Sequence, residues 1–148
     1  MYIKQLSVFI ENRSGRLEQV TQVLKENNIN IVSISLADTS DYGLLRLILS
    51  NPDQAAAILK ENGFSATITN VIAVKFTQHV GQLSELLAVL SSAGVDIEYM
   101  YSLTSGEQNA SIILKTSDQQ KALEAISLSS FELLSAEDAY DMGNGTAN

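Results

Sequence analysis

The sequence has no cysteine and a single histidine, His79, in 148 residues. The first absence removes thiol nucleophiles, disulfides and cysteine-ligated metals, and it fits a reducing, cytoplasmic compartment. The second leaves too few nitrogen and sulfur ligands for a zinc site. A serine–histidine–aspartate relay would have to be built on His79, and no G-x-S-x-G elbow offers it a nucleophile. Phosphate loops of the G-x-x-x-x-G-K-[ST] and G-x-G-x-x-G kinds are missing, and the acids are scattered rather than convergent, so neither metal nor cofactor is expected. No apolar run approaches the roughly 20 residues that span a bilayer, and the opening MYIKQLSVFIENRSG lacks the pattern of a secretion signal, so no membrane association is expected. Basic residues are scarce: nine Lys and Arg stand against 17 Asp and Glu, for a formal net charge of −8. With no basic cluster to displace counterions from phosphates, nucleic acid is not an expected partner.

An apolar fraction of 45% is enough for a real core, and the length suits one ordinary domain or two small ones. Internal repetition decides for two. Asn12 to Leu17 reads N-R-S-G-R-L and Gln78 to Leu83 reads Q-H-V-G-Q-L, while Asn28-Ile29-Asn30-Ile31 aligns with Gly94-Val95-Asp96-Ile97 at the same spacing of 66. A third match, Asp53 to Ile58 with Asp118 to Leu123, comes at 65 and implies one deletion near Leu47. Charge divides unevenly: residues 1–70 carry six basic and seven acidic groups, residues 71–134 three and seven. The first half is therefore the expected place for an anionic group to dock.

Each copy reads as strand, helix, strand, strand, helix, strand. Leu6, Val8 and Ile10 alternate with polar neighbours, and Leu17, Val20, Val23 and Leu24 form one helical stripe. Asn28 and Gly94 tolerate the left-handed conformation that stops a helix. Ile29–Asp38 and Leu44–Ser50 flank a turn from Thr39 to Gly43. Asn51 and Pro52 open a second helix that Gly63 ends, and Phe64–Asn70 is a fourth strand. In the second copy Val71–Phe76 is the strand and Gln82–Ala93 the helix, with Leu83, Leu86, Leu87 and Leu90 inward. Val95–Leu103 and Asn109–Lys115 form a hairpin around Ser105-Gly106, Asp118 caps a helix to about Ser127, and Phe131–Leu134 begins the last strand. The expected fold class is α+β: two tandem ferredoxin-like βαββαβ domains over residues 1–70 and 71–134, each an antiparallel four-stranded sheet with helices on one face. Residues 135–148, with Gly143-Asn144-Gly145 near their end, read as a frayed tail.

Chemistry is left to the loop entering each first helix. Glycine there allows backbone to approach a ligand, N–H groups at a helix start attract a carboxylate, Asn12 offers donor and acceptor, and Arg13 and Arg16 add positive charge. The other reading is that Gly15 serves only the turn, Asn12 caps the helix and the arginines are solvated.

The βαββαβ order, the N-R-S-G-R-L loop and the N-I-N-I strand start resemble the ACT domain family. In motif the first copy is similar to the regulatory domains of phosphoglycerate dehydrogenases, whose E-N-R-P-G-V-L and V-N-I segments supply ligand-binding asparagines. The resemblance implies a regulatory domain that binds an amino acid between two domains packed side by side. It implies ligand contacts at Asn12, Arg13, Ser14, Gly15, Arg16, Leu17, Asn30 and Ile31, and a weaker second site at Gln78, His79, Val80, Gly81, Gln82, Leu83, Asp96 and Ile97. Ser14 stands where the family's proline is usual, and Ile10 where a ligand-contacting histidine would be, which argues against serine as the ligand. The function expected is an amino-acid-binding regulator without catalysis, a homodimer, acting with an enzyme or regulator of amino-acid metabolism. A ligand-free assembly module is the alternative. An enzyme built on Tyr99 and Tyr101 is a more distant one, since a pair on one strand face is the usual arrangement of packed aromatics.

Overall fold

The structure, a computed structural model, describes residues 2–11, 13–38, 41–77, 79–105 and 109–142. Asn12, Gln78, the turn residues Thr39, Ser40 and Gly106, and the tail from Gly143 lie outside the described residues. The elements run β1 (Ile3–Glu11), α1 (Arg16–Glu26), β2 (Ile31–Asp38), β3 (Tyr42–Leu49), α2 (Pro52–Glu61), β4 (Ser65–Phe76), α3 (Gln82–Ser92), β5 (Ile97–Ser105), β6 (Asn109–Thr116), α4 (Gln119–Ser127) and α5 (Ala136–Asp141). The expected α+β class and repeated strand–helix order are both present.

The chain divides into two compact units. One is Lys4–Thr69 with the chain from Glu137 onward, the other Asn70–Ala136 with the chain's start as far as Ile3. In the first, the strand order is β2-β3-β1-β4, and β3 pairs antiparallel with both β1 (Leu6 opposite Leu47) and β2 (Leu36 opposite Leu45). Leu6, Val8 and Ile10 of β1 meet Leu45, Leu47 and Leu49 of β3 and Val20 and Leu24 of α1 in one core, closed by Ala55 and Leu59 of α2. The alternation read from β1 is thus the pleat of a sheet with one face against helices. In the second unit β4-β6-β5 repeat the pattern: Ile72, Val74 and Leu114 meet Leu86 and Leu90 of α3 and Ala122 and Ile126 of α4, with Tyr2 packed against them.

Four expectations need correction. The two strands read on either side of the Asn70–Val71 junction are one twelve-residue strand, β4, with no glycine or proline at the junction to break it. The last strand is reduced to a bridge between Val74 and Leu133, with Lys75 N–H donating to Glu132 O at 2.8 Å and Leu134 N–H to Ala73 O at 2.9 Å. Part of the supposed tail is helical: α5 buries Ala139 completely, and the Tyr140 hydroxyl accepts a hydrogen bond from the Lys4 N–H at 2.7 Å. Finally, Leu83 and Leu87 are exposed, at 42% and 37%. Four leucines on α3 make a wider stripe than the helix buries, and Gln82, Leu86 and Leu90, four residues apart along one line, take the inward face.

The register of the repeat also changes. Asn51 and Asp118 are the N-caps of α2 and α4, and Ala55 and Leu59 of α2 are buried as Ala122 and Ile126 of α4 are. The spacing there is 67, so the second copy carries one extra residue in its hairpin, and the D-Q match at 65 is a coincidence of surface residues. The two aspartates serve different ends: Asp118 caps its helix by accepting from Lys121 N–H at 3.1 Å, while Asp53 pairs with Lys4 at 2.9 Å.

Candidate functional site

The two loops that enter α1 and α3 have the same backbone. Gly15 (φ 89°) and Gly81 (φ 91°) stand at the N-caps in the left-handed region, where L side chains are strained. Three bonds repeat around them. Arg13 N–H donates to Glu11 O and His79 N–H to Thr77 O, both at 2.8 Å; Arg16 N–H reaches Arg13 O and Gln82 N–H reaches His79 O, both at 3.4 Å; Gln19 and Glu85 N–H close the first turns on Gly15 O and Gly81 O at 3.0 Å. Geometry leaves the remaining first-turn N–H groups, those of Leu17 and Glu18 in α1, without an acceptor inside the helix. A Cβ built on Gly15 would meet nothing within 4 Å, so the dihedral rather than crowding by the protein requires glycine here.

The side chains diverge. Ser14 is exposed and Leu17 half-buried against the first core. Arg13 pairs with Glu11 (Nε to Oε2, 3.3 Å). Arg16 lies with its guanidinium carbon 4.3 Å from the centre of the Phe64 ring, gives an Nη1 hydrogen bond to Gln19 at 2.6 Å, and keeps a buried Nε without a hydrogen-bond partner. Nothing in the order of residues announced that stack, because Phe64 comes 48 positions later, just past the Gly63 turn. In the second unit His79 is exposed, with Nδ1 3.3 Å from Thr77 Oγ1 and Nε2 3.7 Å from Glu85. Val80 is fully exposed. Gln82 turns inward, donating to Thr77 Oγ1 at 3.3 Å and leaving a buried Oε1 without a partner.

The second group of expected residues sits at the other end of the same helices. Left-handed Asn28 (φ 57°) and Gly94 (φ 73°) end α1 and α3, with Ile29 N–H returning to Leu24 O and Val95 N–H to Leu90 O, both at 3.0 Å. Asn30 and Asp96 follow, each held by a serine across the sheet. Ser50 Oγ accepts from Asn30 N–H at 3.1 Å and Ser50 N–H donates to Asn30 O at 3.0 Å; Ser117 makes the same two bonds with Asp96 at 3.1 and 2.9 Å. A repeat spacing of 65 sets Ser50 against Lys115 and hides the clamp, which pairs Ser50 with Ser117 at 67. Ile31 and Ile97 begin their strands half-buried on the cores. Within one unit, the loop and the strand start are separated by the eleven residues of α1, about 16 Å at 1.5 Å per residue.

A groove of about 310 Å³ opens in the second unit, lined by Leu87, Ser91, Gly94, Val95, Asp96 and Ile97 among others. Tyr99 and Tyr101 are half-buried on β5 opposite Lys115 and Ile113. Among the described residues, no group of three or more His, Cys, Asp or Glu could hold a metal, and no helix is long and apolar enough to cross a membrane.

Comparison with known proteins gives one family match: the model of the ACT domain pair covers residues 1–142. A crystal structure of a protein from Bacteroides thetaiotaomicron is similar over 95% of this chain and 96% of its own, at 41% identity and a TM-score of 0.89. The regulatory subunits of aspartate kinase from Thermus thermophilus (ligand-free) and Thermus flavus share the fold at 20% and 21% identity, with TM-scores of 0.60 and 0.57. Each of these two comparisons covers 84% of this chain and 90% of the other. No curated protein matches.

Proposed function

The chain belongs to the ACT domain pair family, and on that premise we propose that it is a regulatory module that binds an amino acid and has no active site of its own. The observation that carries this reading is the duplicated loop, in which a left-handed glycine opens an eleven-residue helix at the same three-bond turn in both units. A turn of this kind offers N–H groups to a carboxylate without ordering any side chain. Its similarity to regulatory subunits of aspartate kinase supports a role in controlling an enzyme of amino-acid metabolism.

In this reading the carboxylate is received by the N–H groups of Ser14, Gly15 and Leu17 with the side chain of Asn12, and Asn30 takes the other end of the ligand. Because about 16 Å separates the two groups within a unit, a molecule of amino-acid size joins the loop of one chain to Asn30 of a second. The protein is therefore a homodimer in the ligand-bound state. Exposed Ile34 and Leu36 on β2, the outer strand of the first unit, favour such an assembly, since an apolar strand edge is costly to leave open.

Thermal unfolding in the presence of each of the twenty amino acids tests the reading. A ligand bound only by the folded state at a hundred times its Kd adds about 2.7 kcal/mol, a clear rise in Tm. At least one amino acid is expected to produce it. Twenty unchanged curves at millimolar concentration would refute amino-acid sensing.

A further inference from the structure

The backbone that opens α1 is lightly restrained at Gly15. This glycine sits in the left-handed region with open space where a Cβ would stand, and the turn bond that follows, from Arg16 N–H to Arg13 O, is long at 3.4 Å. Glycine also has the most conformational freedom to lose on folding. On one side of it the ion pair of Arg13 with Glu11 is exposed at both ends, and such pairs hold little in place. On the other side stand Leu17, half-buried on the core, and the side chain of Arg16.

Arg16 is engaged inside its own unit. Its guanidinium lies 4.3 Å from the centre of the Phe64 ring, a residue only 6% exposed, and attraction of a cation to a ring face grows as both leave water. Nη1 donates to Gln19 Oε1 at 2.6 Å, and Gln19 N–H closes the first turn of α1 on Gly15 O at 3.0 Å. One chain of contacts thus runs from Phe64 through Arg16 and Gln19 to the carbonyl of Gly15. Nε is buried without a hydrogen-bond partner, a costly state for a donor on a charged group, and its burial keeps it from a ligand at the loop. The second unit is built otherwise. Phe131 follows Phe64 at the spacing of 67 that relates α4 to α2, but there Phe76 packs on the ring, with centroids 6.0 Å apart. Gln82, in the place of Arg16, turns to Thr77. The ring recurs; in the first unit the residue that opens the helix covers it, and in the second a residue at the end of a strand.

We infer that Arg16 is a positioning residue where the family resemblance implies a ligand contact: stacked on Phe64, it holds the N–H groups of Gly15 and Leu17 in place to receive a carboxylate. The inference rests on the amino-acid-binding reading and deepens it, because it makes affinity at the first loop depend on a buried ring just past the turn that ends α2. Order at the loop before any ligand arrives is the direct consequence, since a site already ordered binds without the entropic cost of ordering it.

Two variants of the full chain separate the roles. Arg16→Gln puts at the start of α1 the residue that the same backbone carries at Gln82, and Phe64→Leu removes the ring face while keeping an apolar side chain in the core. NMR relaxation without ligand reads order at the amides of residues 13–17. Order parameters near about 0.85 are expected in the native chain and below about 0.6 in both variants. Calorimetry with the amino acid that stabilises the native protein is expected to show binding weakened by about threefold to thirtyfold in each, the range of one cation–π contact. In the double variant the two losses are expected not to add, because both residues act through that one contact. Native order at residues 13–17 in Arg16→Gln would overturn the inference, and if Phe64→Leu does not fold this measurement decides alone. Weak binding by Arg16→Gln beside native affinity in Phe64→Leu would overturn it as well, by making Arg16 a ligand contact, and so would losses that add. If none of the twenty amino acids binds the native chain while Arg16→Gln still loosens the loop, the sensing reading falls and the stack stands as the loop's anchor.

Discussion

The two units share a backbone and put different chemistry on it. Both open their first helix with glycine near φ 90°, end it with a left-handed residue and fix the next strand with a serine two bonds deep. Each of these devices answers a backbone constraint that few residue types meet cheaply, and each is present twice. Side chains free of such constraints have parted: Arg13, Arg16 and Asn30 in the first unit stand against His79, Gln82 and Asp96 in the second. The first loop is cationic and its helix end polar, while the second loop is uncharged apart from a histidine–glutamate pair and its helix end is a groove of mixed polar and apolar lining beside a carboxylate. The repeat keeps the backbone devices of the fold in both units and varies the side chains around them.

The largest expected effect separates the two loops. Asn12→Ala should weaken amino-acid binding at the first loop by about tenfold to a hundredfold, the loss of a hydrogen bond to a charged group, whereas Gln78→Ala should leave it within about twofold. Calorimetry on both variants checks this, and equal losses would erase the asymmetry.

Next in size is the end of the chain. Removing residues 137–148 takes away buried Ala139 and the Tyr140 hydroxyl that holds β1. The first unit should lose about 1–3 kcal/mol and the second much less, which amide hydrogen exchange resolves unit by unit. A smaller contrast concerns the serine clamps. Ser50 is buried at 5% exposure and Ser117 is exposed, so Ser50→Ala should cost about 1 kcal/mol and Ser117→Ala less, since water replaces the lost acceptor.

The smallest effect is alkaline and confined to the first unit. Burial raises the Tyr140 phenol above its ordinary value, the hydrogen bond from Lys4 N–H opposing it; hydrogen bonding to Asp53, then its charge, raises the Lys4 ammonium. A group raised on folding contributes stability that is complete below its unfolded pKa and is lost as pH rises through the folded one. The α5 contact should therefore loosen above about pH 10. Hydrogen exchange at β1 should accelerate there in the native chain and less so in Tyr140→Phe.

Much of this fold is legible in the sequence because its signals are local. The period-two pattern of Leu6, Val8 and Ile10, the stripe of Val20 and Leu24, and the stops at Asn28 and Gly94 each depend on neighbours a few residues away. What escaped depends on distance along the chain. Arg16 on Phe64, Asn30 on Ser50 and Lys4 under Tyr140 join residues 20 to 136 positions apart, and no periodicity encodes them. The D-Q match failed for a related reason: identical exposed letters outweighed the buried pairs Ala55 with Ala122 and Leu59 with Ile126, which carry the register. For the site, the loop glycines and strand starts were readable, while the groove at Ser91 and Gly94 was not, because small residues announce space only once their neighbours are placed.

Whether an amino acid is bound by the loop of one chain and Asn30 of another is tested most directly by mixing Asn12→Ala with Asn30→Ala chains, each expected to be defective alone. If the site is shared within a homodimer, half the dimers formed are hybrids, and each hybrid has one site with both asparagines intact. Equilibrium dialysis with the amino acid that stabilises the native protein should then recover about one quarter of its binding capacity at native affinity. No recovery on mixing, with both variants folded and dimeric, would contradict the claim.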